Sequence, residues 1–276
     1  MTARRLTIVT NGNYFSHIGL RRLLAAHPDD IELQVFVTTG LRKTSDNRAK
    51  EAFQLLRRWG LRYTAYKVAT YALPFAGERL GRRTLTVRTA FEKRGIPCHV
   101  VRSVNTPPAL EQVRQFAPDL LISFSCPYKI GKELLAIPRI GSMNVHSSLL
   151  PAYAGVCTYI HVLADGQPVT GVTVHDMVSR FDAGRILAQE EVPIGPRTSV
   201  CSLFARQCDI AGTLLLAAVH ESLDAGAIGG TEQDFGQRTY RGEPTRSDVA
   251  RLRARGHRLL WVRDVRMLLS PPAAPG

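Results

Sequence analysis

Leu6-Thr-Ile-Val-Thr10, the turn Asn11-Gly12-Asn13 and Glu32-Leu-Gln-Val-Phe-Val-Thr38 together decide the fold. Leu6–Thr10 is a short β-branched run, the make-up of a strand. The Asn-Gly-Asn turn ends it, and Ile18, Leu20, Leu23 and Leu24 then recur at helical spacing. Glu32–Thr38 is a second strand, stopped by Gly40. Strand, turn, helix, strand is how a mostly parallel α/β sheet begins. The turn could present backbone N–H groups to an anion at a helix start. It has neither the GxGxxG nor the GxxxxGK[ST] spacing, so it gives no reason to expect NAD or ATP.

The same alternation continues downstream. Cys98-His-Val-Val101 is a strand, Pro107–Phe116 a helix, and Asp119-Leu-Leu-Ile-Ser-Phe124 an apolar run suited to a buried parallel strand. Lys132–Ile137 is a short helix ended by Pro138, and Gly141–His146 another strand. Val169–His175 and Ile186–Val192 form a later pair. Ser199 caps a long helix that runs through Leu223 to Gly226. Between the early strands, Ala52, Leu55, Leu56 and Trp59 share a helical face that Gly60 is placed to end. Tyr63, Tyr66, Tyr71 and Phe75 follow among basic residues. Such aromatics can stack bases or rest on a membrane, and more often pack a helical insert onto its host.

The chain has 276 residues, 45% of them hydrophobic, and a net charge of +13. The charge is localised: residues 41–95 hold 14 Lys/Arg against 4 Asp/Glu, and 238–266 hold 9 against 3. These blocks are either solvated surfaces or attractors of an anionic partner. Cys98, Cys126, Cys157, Cys201 and Cys208 show no CxxC pair or zinc spacing, which predicts free thiols in a reducing compartment and no metal. Cys201 and Cys208 share a helix face and are expected in the core. No signal peptide opens the chain, and no run nears the ~18 apolar residues of a membrane span. A cytoplasmic protein without membrane association is the expectation.

Asn144-Val-His-Ser-Ser-Leu-Leu-Pro151, with Gly155 and then Phe181-Asp-Ala-Gly184, carries the chemistry. Asn144 and His146 are two apart on a strand, so both side chains leave one face. An amide and an imidazole there can both donate to an oxygen gaining negative charge. Asp182 precedes Gly184 on a turn, and a carboxylate beside His146 would fix its tautomer and raise its pKa. Asn and His are also ordinary at strand ends, so spacing alone leaves both readings open.

Asn144-x-His146-x-Ser148-Leu-Leu-Pro151-x-x-x-Gly155, then Thr170–His175, then Asp182-x-Gly184-x-Ile186-Leu-x-Gln189 resembles the folate-dependent formyltransferase family. That family includes methionyl-tRNA, glycinamide ribonucleotide and amino-sugar formyltransferases. The resemblance is clearest over about residues 118–225. It implies a Rossmann-like, mostly parallel sheet with a helical insert and a short C-terminal appendage. It also implies 10-formyltetrahydrofolate as formyl donor, and Asn144, His146 and Asp182 as the catalytic set. Cys126, Tyr128 and Ile130 would lie beside the pteridine. Met177, Val178 and Phe181, on the loop ending at Asp182, would close over it and read it through the backbone. Gly155 would approach the formyl group, and Asn11, Asn13 and Tyr14 are the candidate acceptor contacts. The acceptor amine would attack the formyl carbon directly, with no metal and no covalent intermediate.

Three features depart from the family pattern. The Arg that often precedes the glycine after SLLP is absent from Pro151-Ala-Tyr-Ala-Gly155. The 41–95 block is longer than the usual link. Only 46 residues follow Gly230, too few for the β-barrel of the tRNA-acting branch, which weighs against tRNA. The expected organisation is a catalytic domain over 1–226 with a basic insert at 41–95, an appendage at 227–269 and a disordered tail at 270–276. The expected activity is N-formylation of a small anionic amine in sugar or natural-product biosynthesis, with a homodimer left open. The alternatives are a 10-formyltetrahydrofolate hydrolase, a methionyl-tRNA-type enzyme, or a non-catalytic RNA- or anion-binding α/β module.

Overall fold

The computed structural model describes residues 4–26, 31–38, 48–80 and 85–270, and over 48–55 the backbone alone. Gly40 as a strand stop, the side chains of Ala52 and Leu55, and the tail beyond Ser270 lie outside the described residues.

The chain runs β1 (Arg4–Thr10), α1 (Tyr14–Ala25), β2 (Ile31–Thr38), α2 (Arg48–Arg79), α3 (Val87–Glu92), β3 (Cys98–Val101), α4 (Pro107–Phe116) and β4 (Leu120–Phe124). It continues through α5 (Lys132–Leu135), β5 (Gly141–His146), β6 (Ala154–Gly155), α6 (Thr158–Asp165), β7 (Val169–Asp176), β8 (Ile186–Pro193) and α7 (Val200–Ala225). A 3-10 turn at Phe235–Gln237, β9 (Tyr240–Arg241), α8 (Arg246–Ala254) and α9 (Val262–Leu268) complete the described chain.

Seven strands form one sheet in the order β3-β2-β1-β4-β5-β7-β8. The first five are mutually parallel, and β7 and β8 are antiparallel additions. The fold is therefore α/β with a mostly parallel sheet. Period-two burial explains its layers. Leu6 and Ile8, Leu33 and Val35, and Leu120 and Ile122 enter the larger core with α1, α6 and α7. Val9, Phe36 and Leu121 face the smaller core under α4 and α5, with Val113 and Leu134. β4 is buried on both sides, which is why it reads as a near-continuous apolar run.

α7 is the one helix among the described residues with the length and apolarity of a membrane span. Its Leu203, Cys208, Leu215 and Val219 instead fill the larger core, and Gly212 meets the backbone of Gly19 on α1. Ser199 caps it and Gly226 closes it in the left-handed conformation.

Gly60 ends the first helix of the 48–79 stretch as expected: at φ +77° and ψ 161° it is non-helical. A second helix starts directly beyond it, so α2 is two helices joined at a kink. Tyr63 and Tyr66 are buried in the larger core, whereas Tyr71 and Phe75 are exposed. Packing onto the host thus accounts for one aromatic pair and not the other.

Candidate active site

The site lies at the C-terminal ends of the parallel strands, where an open α/β sheet leaves its ligand crevice. On β5, Asn144 is flanked by Ser123 of β4 and His175 of β7. This is the boundary at which the sheet turns antiparallel. The next residue on that face, His146, is opposite Thr173 and only 6% exposed.

Hydrogen bonds set the protonation pattern. His175 Nδ1 lies 2.7 Å from the Asp176 carbonyl, which only accepts, so Nδ1 carries the hydrogen. Its Nε2 is therefore the acceptor, and the Asn144 amide donates to it at 3.1 Å. Burial pushes His175 down to about 4 from its ordinary 6.5, against an opposing pull from Asp182, so it stays neutral at pH 7. A neutral His175 thereby orients the Asn144 amide and leaves its second hydrogen for a ligand.

His146 differs. Its Nε2–H donates to the Tyr153 carbonyl at 2.8 Å, and its Nδ1 lies 3.8 Å from Asp182 Oδ1. The tautomer expected to follow from Asp182 is set by the Tyr153 carbonyl instead. Asp182 Oδ1 stands between the two imidazoles, 3.7 Å from His175 Nε2, and Oδ2 accepts the Gly155 N–H at 2.8 Å. Amide and imidazole donors beside a carboxylate suit two tasks: stabilising negative charge on an oxygen and moving a proton.

The other sequence candidates divide. Met177 is partly buried against the smaller core, and its N–H donates to the Ser142 carbonyl. Val178 and Phe181 are 41% and 50% exposed on the loop between Asp176 and Asp182, with the Lys129 ammonium 5.3 Å from the Phe181 ring centre. Cys126 and Tyr128 follow the end of β4. The Tyr128 hydroxyl accepts the Val104 N–H at 2.9 Å, and burial raises both its pKa and that of Cys126. Ile130 is buried in the smaller core, so its place is packing and not the crevice. Gly155 has φ +114°, and a Cβ there would sit 2.0 Å from the Arg241 carbonyl, so close approach of β6 to β9 requires glycine.

Tyr14 is corrected outright. Its ring is core and its hydroxyl donates to the Met267 carbonyl at 2.8 Å, so it cannot face an acceptor. Asn13 caps α1 through the Ser16 N–H, and the Asn11 side-chain oxygen accepts from Asn13 N–H and Ser16 Oγ. The turn is held by its own side chains.

The sequence reading does not single out His175 as a site residue, although it ends the Thr170–His175 stretch that is part of the family resemblance. The loop after β5 has a similar hidden support. Thr173 Oγ1 donates to the Ser148 carbonyl at 2.7 Å, and Gln189 Nε2 donates to Leu150 O and Thr173 Oγ1.

An Asn/His pair thus faces a carboxylate at the strand ends of a mostly parallel α/β sheet. The chain belongs to the formyl transferase family, whose model matches residues 79–219. It is 35% identical over 186 residues to the methionyl-tRNA formyltransferase of Thermotoga neapolitana, a match covering 65% of this chain and 59% of that one. The chain thus spans less than two thirds of the curated relatives it matches. Its fold resembles a sugar N-formyltransferase from a Shewanella species, with TM-score 0.57 and 16% identity over 90% of this chain and 86% of that one. It also resembles an N-formyltransferase from Helicobacter canadensis in complex with folinic acid and dTDP-3-aminofucose. That match has TM-score 0.56 and 15% identity over 90% of this chain and 72% of that one.

Proposed function

We propose that this protein is an enzyme that transfers the formyl group of 10-formyltetrahydrofolate to the amine of a small, anionic acceptor such as an amino sugar nucleotide. The observation that supports it most is Asn144, bonded to a neutral His175, beside His146 and Asp182 at the strand ends of a formyl transferase family member.

The residues fit such a donor. Val178 and Phe181 are uncovered apolar side chains beside the polar cluster, as a flat heteroaromatic ring requires, and Tyr128 stands at the end of the neighbouring strand. The donor supplies a formyl carbon already activated for attack by an amine. Asn144 donates its free amide hydrogen to the formyl oxygen as charge grows there. His146 would donate from Nδ1 when protonated. As the C–N10 bond of the donor breaks, Asp182 would pass the proton released by the acceptor amine to N10, so that tetrahydrofolate leaves. Positive charge in 238–266, and in the 41–95 block where described, favours an anionic acceptor. All five cysteines are free, in keeping with a cytoplasmic setting.

The likeness to methionyl-tRNA formyltransferase supports a second reading, with an aminoacyl-tRNA as the anionic amine. One experiment separates the readings. The full chain is mixed with 10-formyltetrahydrofolate and either amino sugar nucleotides or methionyl-tRNA, and formylated product and free formate are measured by mass spectrometry. Formylated sugar nucleotide supports the first reading, formylated tRNA the second, and formate alone a hydrolase. Asn144→Ala should cut kcat by about 10²–10³-fold, as loss of one oxyanion donor does. Undiminished turnover in that variant would sink the proposed roles.

A further inference from the structure

Asp182 has φ +46°, a left-handed conformation that a non-glycine residue holds only with support from its surroundings. That support comes from about fifty residues downstream. The Arg238 guanidinium forks across two successive carbonyls, Nη1 to Asp182 O at 2.8 Å and Nη2 to Phe181 O at 2.7 Å. Gln233, buried, donates from Nε2 to Asp182 O at 3.2 Å and to Gly184 O at 2.6 Å. The backbone that carries the carboxylate is thus held at three carbonyls, those of Phe181, Asp182 and Gly184, by two side chains.

The same stretch holds the other side of the site. Thr239 Oγ1 accepts the Tyr153 N–H at 2.8 Å, and Thr239 O accepts the Ala154 N–H at 2.8 Å. The Arg241 carbonyl accepts the Val156 N–H at 3.0 Å as β9 pairs with β6. Tyr153, itself at φ +54°, supplies the carbonyl that sets the His146 tautomer. Gly155 N–H then ties the two loops together at Asp182 Oδ2. One segment therefore determines where the carboxylate lies and which imidazole nitrogen faces it. It also bonds the Phe181 carbonyl, on the loop expected to read the pteridine through its backbone.

We infer that residues 231–242 form a clasp that positions Asp182 against His146 and His175, with Arg238 and Gln233 as its positioning residues. This rests on the catalytic reading of Asp182 given above. A clasp acts on geometry, so it governs the rate of the chemical step more than substrate binding; misplacement by about 1 Å costs on the order of 10²-fold.

The test uses Arg238→Ala, Arg238→Lys and Gln233→Leu in the full chain, with three readouts. These are hydrogen exchange at the Gly155 amide, kcat and KM for formyl transfer, and the thermal midpoint. In Arg238→Ala the Gly155 amide should exchange about tenfold faster, with amides of β1 and β4 unchanged, as local opening requires. Its kcat should fall about 10–100-fold with KM for both substrates within about threefold, and Arg238→Lys should recover part of the loss. If Arg238→Ala does not fold, Gln233→Leu and Arg238→Lys carry the same readouts. Unchanged Gly155 exchange with unchanged kcat overturns the clasp. So does a loss of kcat that follows only the thermal midpoint across the three variants. Wild-type protein without formyl transfer to any amine refutes the catalytic reading instead, and Gly155 exchange still decides whether the clasp exists.

Discussion

The two regions that meet at the site are built by opposite means. Asn144 and His146 stand on β5, with β4 hydrogen-bonded on one side and β7 on the other. Their spacing of two residues and the sheet ladder settle where both side chains go. Asp182 stands on a turn with no ladder, at a left-handed φ, and owes its place to Gln233 and Arg238. A residue on a central strand is positioned by its near neighbours and the pleat. A residue on a turn is positioned by whatever distant chain crosses it. The strand side should therefore tolerate a packing defect without losing geometry, and the turn side should not.

Met143→Ala would sharpen this contrast most. Met143 is fully buried on β5, one residue before Asn144, and its truncation should cost about 2–5 kcal/mol of stability. In the fraction that stays folded, kcat should remain near wild type, because the ladder still holds Asn144 and His146. Urea unfolding with a parallel assay of the folded protein measures both, and a collapse of kcat without global unfolding would break the contrast.

Gly184→Ala probes the other side. A Cβ there would sit 1.9 Å from the Asp176 carbonyl, so the turn must move. We expect about 1–3 kcal/mol of destabilisation. The loss of kcat should exceed that of Met143→Ala, although less stability is lost. Equal or greater activity retained in Gly184→Ala would show that the turn need not be rigid.

The smallest effect concerns pH. Burial holds His175 at about 4, below its ordinary 6.5, so the unfolded chain takes up a proton at this residue before the folded one does. Its contribution to stability is whole above about pH 6.5 and declines as pH falls towards 4. His175→Gln, which cannot be protonated, should therefore show a shallower acid limb of the urea midpoint between pH 7 and pH 5. Parallel limbs in the two proteins would remove His175 as the titrating group.

Much of this was legible in the sequence because the interactions concerned are local or periodic. The alternation of Leu6, Ile8 and Val9 between two cores needs only the pleat, and the ends of α7 need only Ser199 and Gly226. The side-by-side placement of Asn144 and His146 follows from their spacing. The helix end at Gly60 was legible, but a pattern of types could not show that a second helix starts directly beyond it. Nor could it show that Tyr14 is drawn into the core by a carbonyl at Met267.

What the sequence alone determined was a mostly parallel α/β sheet, the strand that carries Asn144 and His146, and likeness to a family. Pairing, capping and two-residue periodicity act over a few residues, and they are written in the order of residue types. Tertiary structure alone decided that His175 orients Asn144, that the Tyr153 carbonyl sets His146, and that Arg238 and Gln233 hold Asp182. Three of these four bonds join residues between 31 and 56 positions apart, and the fourth spans a loop that distant chain holds in place. No local rule reaches that far, because such contacts exist only once the whole sheet has brought their elements together.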